Sequence, residues 1–377
     1  MRIAVLSRNF ANTGGGAERY SIAIVEQLAA RHEVHVFAQR IAHEFPGVHY
    51  HRIPFRIRRP RWINQIGFAL ATWWLTRRGF DIVHSHENIW HGNVQTVHVL
   101  PVTHSLFHGK SGWARLRQYL SVAISPRLLS YLTMERKRYR ISGQRQIVVT
   151  SIALLKAMKQ SFPGSEGALN VITPGVVQPV EPTDGNAKRE ARRALGLPEQ
   201  GYGLLFVGND VRKKGLPTLI QAMTELPSDM FLAVVGSPRN SAVVADLVTR
   251  AGVSQRVHFL GGLSDISTAY RAADVLVHPT LQDAYGMVVL EAMAYGIPVV
   301  VSGLPYCGIA EDLTHQETAL LLDDPRSAAA IAHAVVQLRE DVALSTRLVQ
   351  AGRAFATQHS WAQAGLQHEA LFRQMLG

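Results

Sequence analysis

Residues 275–301 read VLVHPTLQDAYGMVVLEAMAYGIPVVV and hold one complete unit of the pattern that organises this chain. Val275-Leu276-Val277 is a short apolar run without polar alternation, the composition of a strand covered on both faces. The run ends near His278, and a polar loop carrying Asp283 follows. Gly286 opens an apolar helical segment that places Glu291 one to two turns inside. Gly296 ends that segment, and a second buried run extends from Pro298 to Val301. Strand, helix and strand in that order, with no hairpin turn, predict a parallel βαβ unit.

The same rhythm extends outward in both directions. Leu204 to Val207, Phe231 to Val235 and Val257 to Leu260 read as further buried strands, each followed by helix. In the first half, Ile3 to Leu6, Val34 to Phe37 and Ile82 to His84 alternate with longer amphipathic segments. Between the two series lies a stretch rich in Pro, Asp, Gly and Asn, Gln178 to Gly185, and then a charged helical run from Ala187 to Leu195. At 377 residues the chain exceeds one ordinary core. Two doubly wound α/β domains are therefore expected, residues 1–178 and 179–360. No repeat of solenoid period interrupts this reading.

Charge separates the two halves. Residues 1–178 hold 23 Lys and Arg against 8 Asp and Glu, a net of +15, whereas residues 179–377 hold 16 against 20. The first half thus calls for an anionic partner. Its basic residues Arg56, Arg58, Arg59 and Arg61 adjoin Phe55 and Trp62, and Lys110, Arg115 and Arg117 begin a second group that runs through Arg127 to Arg140. Aromatic residues among cations suit an anionic lipid surface. No recognised nucleic-acid motif accompanies the charge. The most apolar stretch, Trp62 to Leu75, is broken by Asn64, Gln65 and Thr72 and is too short to span a bilayer. One cysteine, Cys307, and an N-terminus that reads as a strand rather than a signal peptide agree with a reducing, cytoplasmic setting.

In doubly wound sheets ligands gather beyond the carboxyl ends of the strands, and three such loops carry chemistry here. Asp283 and Glu291 straddle a helix N-terminus whose free N–H groups suit an anion, while each carboxylate suits a diol. A helix cap at Asp283 and a distant ion pair at Glu291 form the structural alternative. The second loop is Gly208-Asn209-Asp210-Val211-Arg212-Lys213-Lys214-Gly215, in which a basic trio is placed to neutralise a leaving diphosphate. The third, Asn12 to Arg19, holds the triplet Gly14-Gly15-Gly16 where backbone must approach a ligand closely. The histidines His84, His86, His91, His98, His104 and His108 lack the spacing of a zinc site.

These segments closely resemble the retaining GT-B glycosyltransferases of family 4. Asp283 and Glu291 match the family's E-x7-E signature, with an aspartate in the first place, and Ala292 to Val299 continue it. Gly208 to Gly215 resembles its G-R-x-x-x-x-K-G loop, with Asn209 in the arginine position and Lys214 in the lysine position. Gly15 to Glu18 resembles its GG-x-E loop, Asp81 to His86 its D-V-V-H-x-H strand end, and Thr96-Val97-His98 its T-V-H strand. Within the family the likeness is to bacterial lipopolysaccharide core glucosyltransferases, through Val207 to Asp210 and Ala273 to Leu290.

The resemblance implies two Rossmann-like domains facing across a cleft, with a last helix, about 361–377, returned to the N-terminal domain. It implies catalytic roles for His98, Arg212, Lys213, Lys214 and Asp283, with Asp283 on the sugar hydroxyls. Gly15, Gly16, Gly208, Tyr285, Gly286, Met287, Val288 and Glu291 would bind the donor, with Glu291 on the ribose diol. For His84 and His86 a contact role and a structural role stand equal. No cofactor or metal is expected beside the nucleotide-sugar co-substrate, a UDP-sugar. The expected partners are a glycan or glycolipid acceptor and the anionic inner membrane surface, and nucleic acid is not among them. A sugar-nucleotide epimerase and a non-catalytic glycan- or lipid-binding protein are the rival functions.

Overall fold

All pairings between strands are parallel in the computed structural model, which describes residues 1–11, 15–55, 57, 59–141, 143–179, 184–236, 241–263 and 265–377. The chain divides into two units, Met1–Gly175 with Trp361–Gly377, and Val176–Ser360.

In the first unit β1 (Arg2–Leu6), β3 (Glu33–Ala38), β5 (Val48–Arg52), β6 (Ile82–Ser85), β7 (Val94–Val97), β8 (Gln146–Val149) and β9 (Leu169–Val171) form one sheet in the order β5-β3-β1-β6-β7-β8-β9, and β2 (Asn9–Phe10) pairs separately with β4 (Arg40–Ile41). Ile3 to Leu6 are wholly buried without alternation because both faces are covered. Ile3, Val5, Val34 and Val36 enter one apolar cluster, and Ala4, Leu6 and Phe37 enter the other.

The last helix, Trp361–Leu376, packs in this unit against Gly16–Ala29. A side chain at Gly365 would sit 2.6 Å from Cβ of Gln27, so glycine sets the closeness of the two helices. Arg31 and Glu369 pair at 2.7 Å across the same contact.

The second unit holds β10 (Tyr202–Val207), β11 (Met230–Val235), β12 (Val257–Gly261), β13 (Val275–His278), β14 (Val299–Ser302) and β15 (Leu320–Leu322), in the order β12-β11-β10-β13-β14-β15. Alternate residues of β10 again feed opposite clusters, Leu204 and Phe206 one and Leu205 and Val207 the other. The order reverses between β10 and β13, and between β1 and β6 in the first unit. At such a switch point the neighbouring connections leave to opposite faces, which opens a crevice beyond the strand ends. The loops singled out in the sequence leave β10, β13 and β6, and the glycine triplet follows β1 and β2.

Candidate functional site

At the switch point of the second unit, the loop after β10 is held against the loop after β13 by backbone. Leu281 N donates to Lys213 O at 2.7 Å, and the Thr280 hydroxyl donates to the same carbonyl at 3.1 Å. Gly215 adopts φ 76°, and a Cβ there would lie 1.9 Å from the Pro279 carbonyl oxygen. The contact therefore needs glycine. Gly208 is tight for the same reason, since a Cβ would meet Lys214 Cγ at 2.9 Å.

This closure sets the Lys214 ammonium on the Asp283 carboxylate, while His278 Nε2, at the end of β13, reaches the same oxygen at 3.0 Å. Burial pushes the Asp283 carboxyl up, but the His278 hydrogen bond and the Lys214 charge outweigh it and hold the group well below the usual carboxylate range. Burial also lowers His278, which keeps its ring neutral. Arg212 and Lys213 are exposed beside this pair. Asp283 backbone is anchored too, with its N–H on Tyr306 O at 2.8 Å and its carbonyl accepting from Gly308 N at 3.1 Å.

Gly286 takes φ 105° and begins the helix Met287–Ala294, where a Cβ would lie 2.8 Å from Cys307 Sγ. Asp283 does not cap this helix; Gly286 occupies the cap position without a side-chain bond. Met287 and Val288 thus present N–H groups of the first turn. Tyr285 packs its ring in the core, so that position contributes backbone to the loop. Glu291 receives the Tyr270 hydroxyl at 2.5 Å, and the Tyr270 ring stacks on Tyr295 at 5.3 Å. Its carboxylate is therefore aimed by a buried phenol.

The first unit brings together a second group. Gly15 caps the helix Gly16–Ala29, and its N–H donates to Glu18 Oε2 at 3.0 Å; Asn12, Thr13 and Gly14 lie outside the described residues. One turn into that helix, Tyr20 meets the His98 ring edge-on at 5.0 Å. His98 follows β7, His86 follows β6, and the two rings stack with Nε2 and Nδ1 2.9 Å apart. The Tyr20 hydroxyl lies 2.9 Å from His368 Nε2, and the His368 ring lies 5.0 Å from that of His84. Burial, then the Arg138 charge, brings His98 down to about 3, and burial brings His368 down to about 3. His84 lies wholly inside and bonds Thr96 Oγ1 at 2.6 Å, a structural position.

Sequence reading missed His278, Cys307, Tyr270, Tyr20 and His368 as partners of this chemistry. His278 alone had a local signal, its place at a strand end five residues before Asp283. Tyr270 is 21 positions from Glu291 and His368 is 348 from Tyr20, separations that no local spacing rule spans. One expectation needs correction: Arg138, counted with the exposed basic residues, is only 6 % exposed and donates to Gln95 Oε1 at 2.9 Å and Thr96 O at 2.6 Å. Its guanidinium ties a helix to β7 instead of facing solvent.

The remaining basic group is a surface. Helix Gly112–Ala123 buries only Val122, and exposes Trp113, Leu116, Tyr119 and Leu120 together with Arg115 and Arg117; Ile124 follows. Lys110 donates to Gln118 at 2.6 Å at its start. Helix Arg61–Thr76 opens with exposed Arg61 and half-buried Trp62 and exposes Leu70, Trp73, Trp74 and Leu75, with the Arg77 guanidinium over both tryptophan rings. Arg59 is exposed just before it, while Arg56 and Arg58 lie outside the described residues. No described helix is long and apolar enough to cross a membrane.

Two tandem parallel sheets with basic and acidic side chains converging at a switch point define a GT-B protein, in which both domains are Rossmann-like. Family comparison gives the same class: residues 14–177 match the model for Glycosyltransferase Family 4, and residues 187–355 match that for Glycosyl transferases group 1. The two models together cover most of the chain, and both describe glycosyl transferases, so each unit carries a glycosyltransferase-family domain. It is similar to the lipopolysaccharide glucosyltransferase WaaG of Escherichia coli K12, 27% identical over 54% of this chain and 55% of that protein. It is also similar to the D-inositol 3-phosphate glycosyltransferase of Salinispora arenicola, 30% identical over 59% and 54%. The chain thus spans about half the length of these curated relatives. The crystal structure of WaaG shares the fold with a TM-score of 0.82 at 22% identity, covering 97% of this chain and 98% of that one. Anabaena HepE, solved with UDP and glucose, shares it with a TM-score of 0.78 at 19% identity, covering 98% of each.

Proposed function

We propose that the protein is a retaining hexosyltransferase that takes its sugar from a UDP-sugar and passes it to a lipopolysaccharide core or related cell-envelope glycan at the cytoplasmic face of a membrane. One observation carries the reading: two restrained carboxylates, Asp283 and Glu291, flank a helix N-terminus with Lys214 against the first. The relative named for lipopolysaccharide glucosyl transfer and the neighbour solved with UDP and glucose support the choice of substrates.

In this reading Glu291 accepts from the ribose diol and Asp283 from sugar hydroxyls. The Met287 and Val288 N–H groups, Lys214, Arg212 and Lys213 receive the charge of the diphosphate as the bond from the anomeric carbon to phosphate oxygen breaks and its electron pair leaves with the diphosphate. The acceptor hydroxyl oxygen forms the new bond from the same face and loses its proton to the departing phosphate or to water. His98, neutral at working pH, offers a sugar hydroxyl a hydrogen bond without adding charge.

We further propose that no metal takes part. The donor atoms of His278, Asp283 and Cys307 lie within 4.8 Å of one another, a composition compatible with a metal. However, burial pushes the Cys307 thiol up, its sulfur is positioned to donate to Tyr285 O at 3.4 Å, and Lys214 already neutralises Asp283. The set therefore suits an internal ammonium better than a divalent ion. Calorimetric titration of the full chain with UDP-, GDP-, ADP- and dTDP-sugars, with and without EDTA, tests both proposals. The expected result is saturable, EDTA-resistant binding of one nucleotide that Glu291→Ala abolishes; binding that survives Glu291→Ala, or that EDTA removes, overturns the corresponding part.

The apolar residues Trp113, Leu116, Leu120 and Ile124 recur at helical spacing beside Lys110 and Arg117. This arrangement supports docking on anionic lipid, with the side chains entering the headgroup region and the cations meeting phosphates. Trp73 and Trp74, within the apolar stretch Trp62 to Leu75, extend the apolar exposure.

A further inference from the structure

The edge of the seven-stranded sheet carries a group of side chains that the proposed transfer does not use. In the parallel register of β3 and β5, His35 stands opposite His49 and Phe37 opposite His51. Alternate residues of a strand share a face, so Glu33, His35, His49 and His51 lie together on one side of two adjacent strands. One ligand atom each from Glu33, His35 and His49 lies within 4.8 Å of the others. His35 Nε2 is 2.8 Å from Glu33 Oε1, and its Nδ1 is 2.8 Å from His51 Nε2. The His35 ring is layered on those of His49 and His51 at 4.6 and 5.1 Å, and Phe80 meets it edge-on at 5.2 Å.

Burial and exposure divide the group usefully. His35 is buried and fixed by its neighbours, whereas Glu33, His49 and His51 are exposed and reach solvent on rotatable side chains. A dissolved ion therefore meets one preset donor and three adjustable ones, and turning the outer rings about their χ angles brings imidazole nitrogens towards a common centre. Glu33 already holds a cation, since Arg2 Nε sits 2.9 Å from its Oε1 with both side chains about half exposed. An exposed ion pair of this kind adds little net stability, so a metal displaces the guanidinium at small cost.

We propose that Glu33, His35 and His49, with His51 as a fourth donor, form a binding site for a divalent transition metal of the zinc, nickel or copper class. Imidazole nitrogen with one carboxylate selects these ions over magnesium and calcium, which require oxygen cages. Bound there, the ion ties the edge strand β5 to β3 and adds its binding free energy to the stability of the first unit.

The test is calorimetric titration of the metal-stripped full chain with ZnCl2, with MgCl2 as control, followed by thermal melting with and without zinc. The expected result is one saturable zinc event, no magnesium event, and a melting temperature that zinc raises. In His49→Ala and in Glu33→Gln, both at exposed positions, zinc affinity falls about tenfold or more and the thermal shift shrinks. Absence of a saturable zinc event overturns the proposal, as does an affinity unchanged in both variants, which would locate the ion among the other histidines. Nucleotide binding measured on His49→Ala remains at the wild-type level, so failure of the metal site and failure of the transferase reading are read separately.

Discussion

The proposed function gives Lys214 two roles: pairing with the largely buried Asp283 carboxylate and meeting the charge of a diphosphate. Replacing it with alanine removes a charge-assisted bond of about 1.5 to 3 kcal/mol, which predicts a loss of about 10- to 150-fold in kcat/KM. Steady-state kinetics on Lys214→Ala measures this, and a change within twofold would remove Lys214 from the site. Tyr270→Phe leaves Glu291 in place without its buried donor. Its expected effect is a weaker donor KM with a smaller change in kcat, because in the proposed function the phenol aims a donor-binding carboxylate without touching reacting atoms. His98 is held near 3 by burial and by the neighbouring Arg138 charge. Its ring resonances should accordingly show no titration between about pH 5 and 8, where an unperturbed histidine titrates; an inflection near 6.5 would contradict the packing described.

Strand-end loops meet only where glycine lets them, and that requirement belongs to the element. Gly215 combines a positive φ with a backbone neighbour at 1.9 Å from any added Cβ. Gly215→Ala must therefore push the loops after β10 and β13 apart, at about 1–3 kcal/mol or more, and displace Lys214 from Asp283. A lowered melting temperature together with lost nucleotide binding is the expected outcome; wild-type values for both would refute it. The motif residues of these loops were legible in the sequence because strand, loop and helix are local in the chain. Their partners were less so. Tyr270 reaches Glu291 from another helix, and Cys307 reaches the Gly286 turn from beyond β14, through packing that local periodicity does not encode.

At the scale of the molecule, the first unit contains His84, His86, His98 and His368, all lowered by burial, with His98 and His368 each brought down to about 3. These groups stay neutral in the folded chain but bind protons on unfolding below about pH 6.5. The unfolded state then holds more protons, so stability is full above that pH and falls as the pH drops towards 3. The slope is up to about 1.4 kcal/mol per pH unit for each group. Denaturant melts between pH 7.5 and 5 measure it, and a pH-independent first transition would refute it. The exposed aromatic and basic helices make a separate prediction: sedimentation with anionic vesicles exceeds that with neutral ones, falls with salt, and is reduced in Trp113→Ser with Arg117→Ser. Equal binding to both vesicle types would exclude the charge-assisted docking.

What the amino-acid sequence determined by itself was the succession of buried strands and helices, the two-part organisation of the sheets, and the glycine, lysine and carboxylate motifs at strand ends. Each of these is written in neighbouring residues, where apolar runs, turn residues and helix starts act over a few positions. Tertiary structure alone decided the rest. It turned Arg138 inward, buried the Tyr285 ring, joined His368 to Tyr20, set His278 and Lys214 on one oxygen of Asp283, and gathered Glu33, His35, His49 and His51 at a sheet edge. Those arrangements depend on which strands become neighbours and in what register, and that choice is made by burial of the whole core, to which every segment contributes and which no single segment contains.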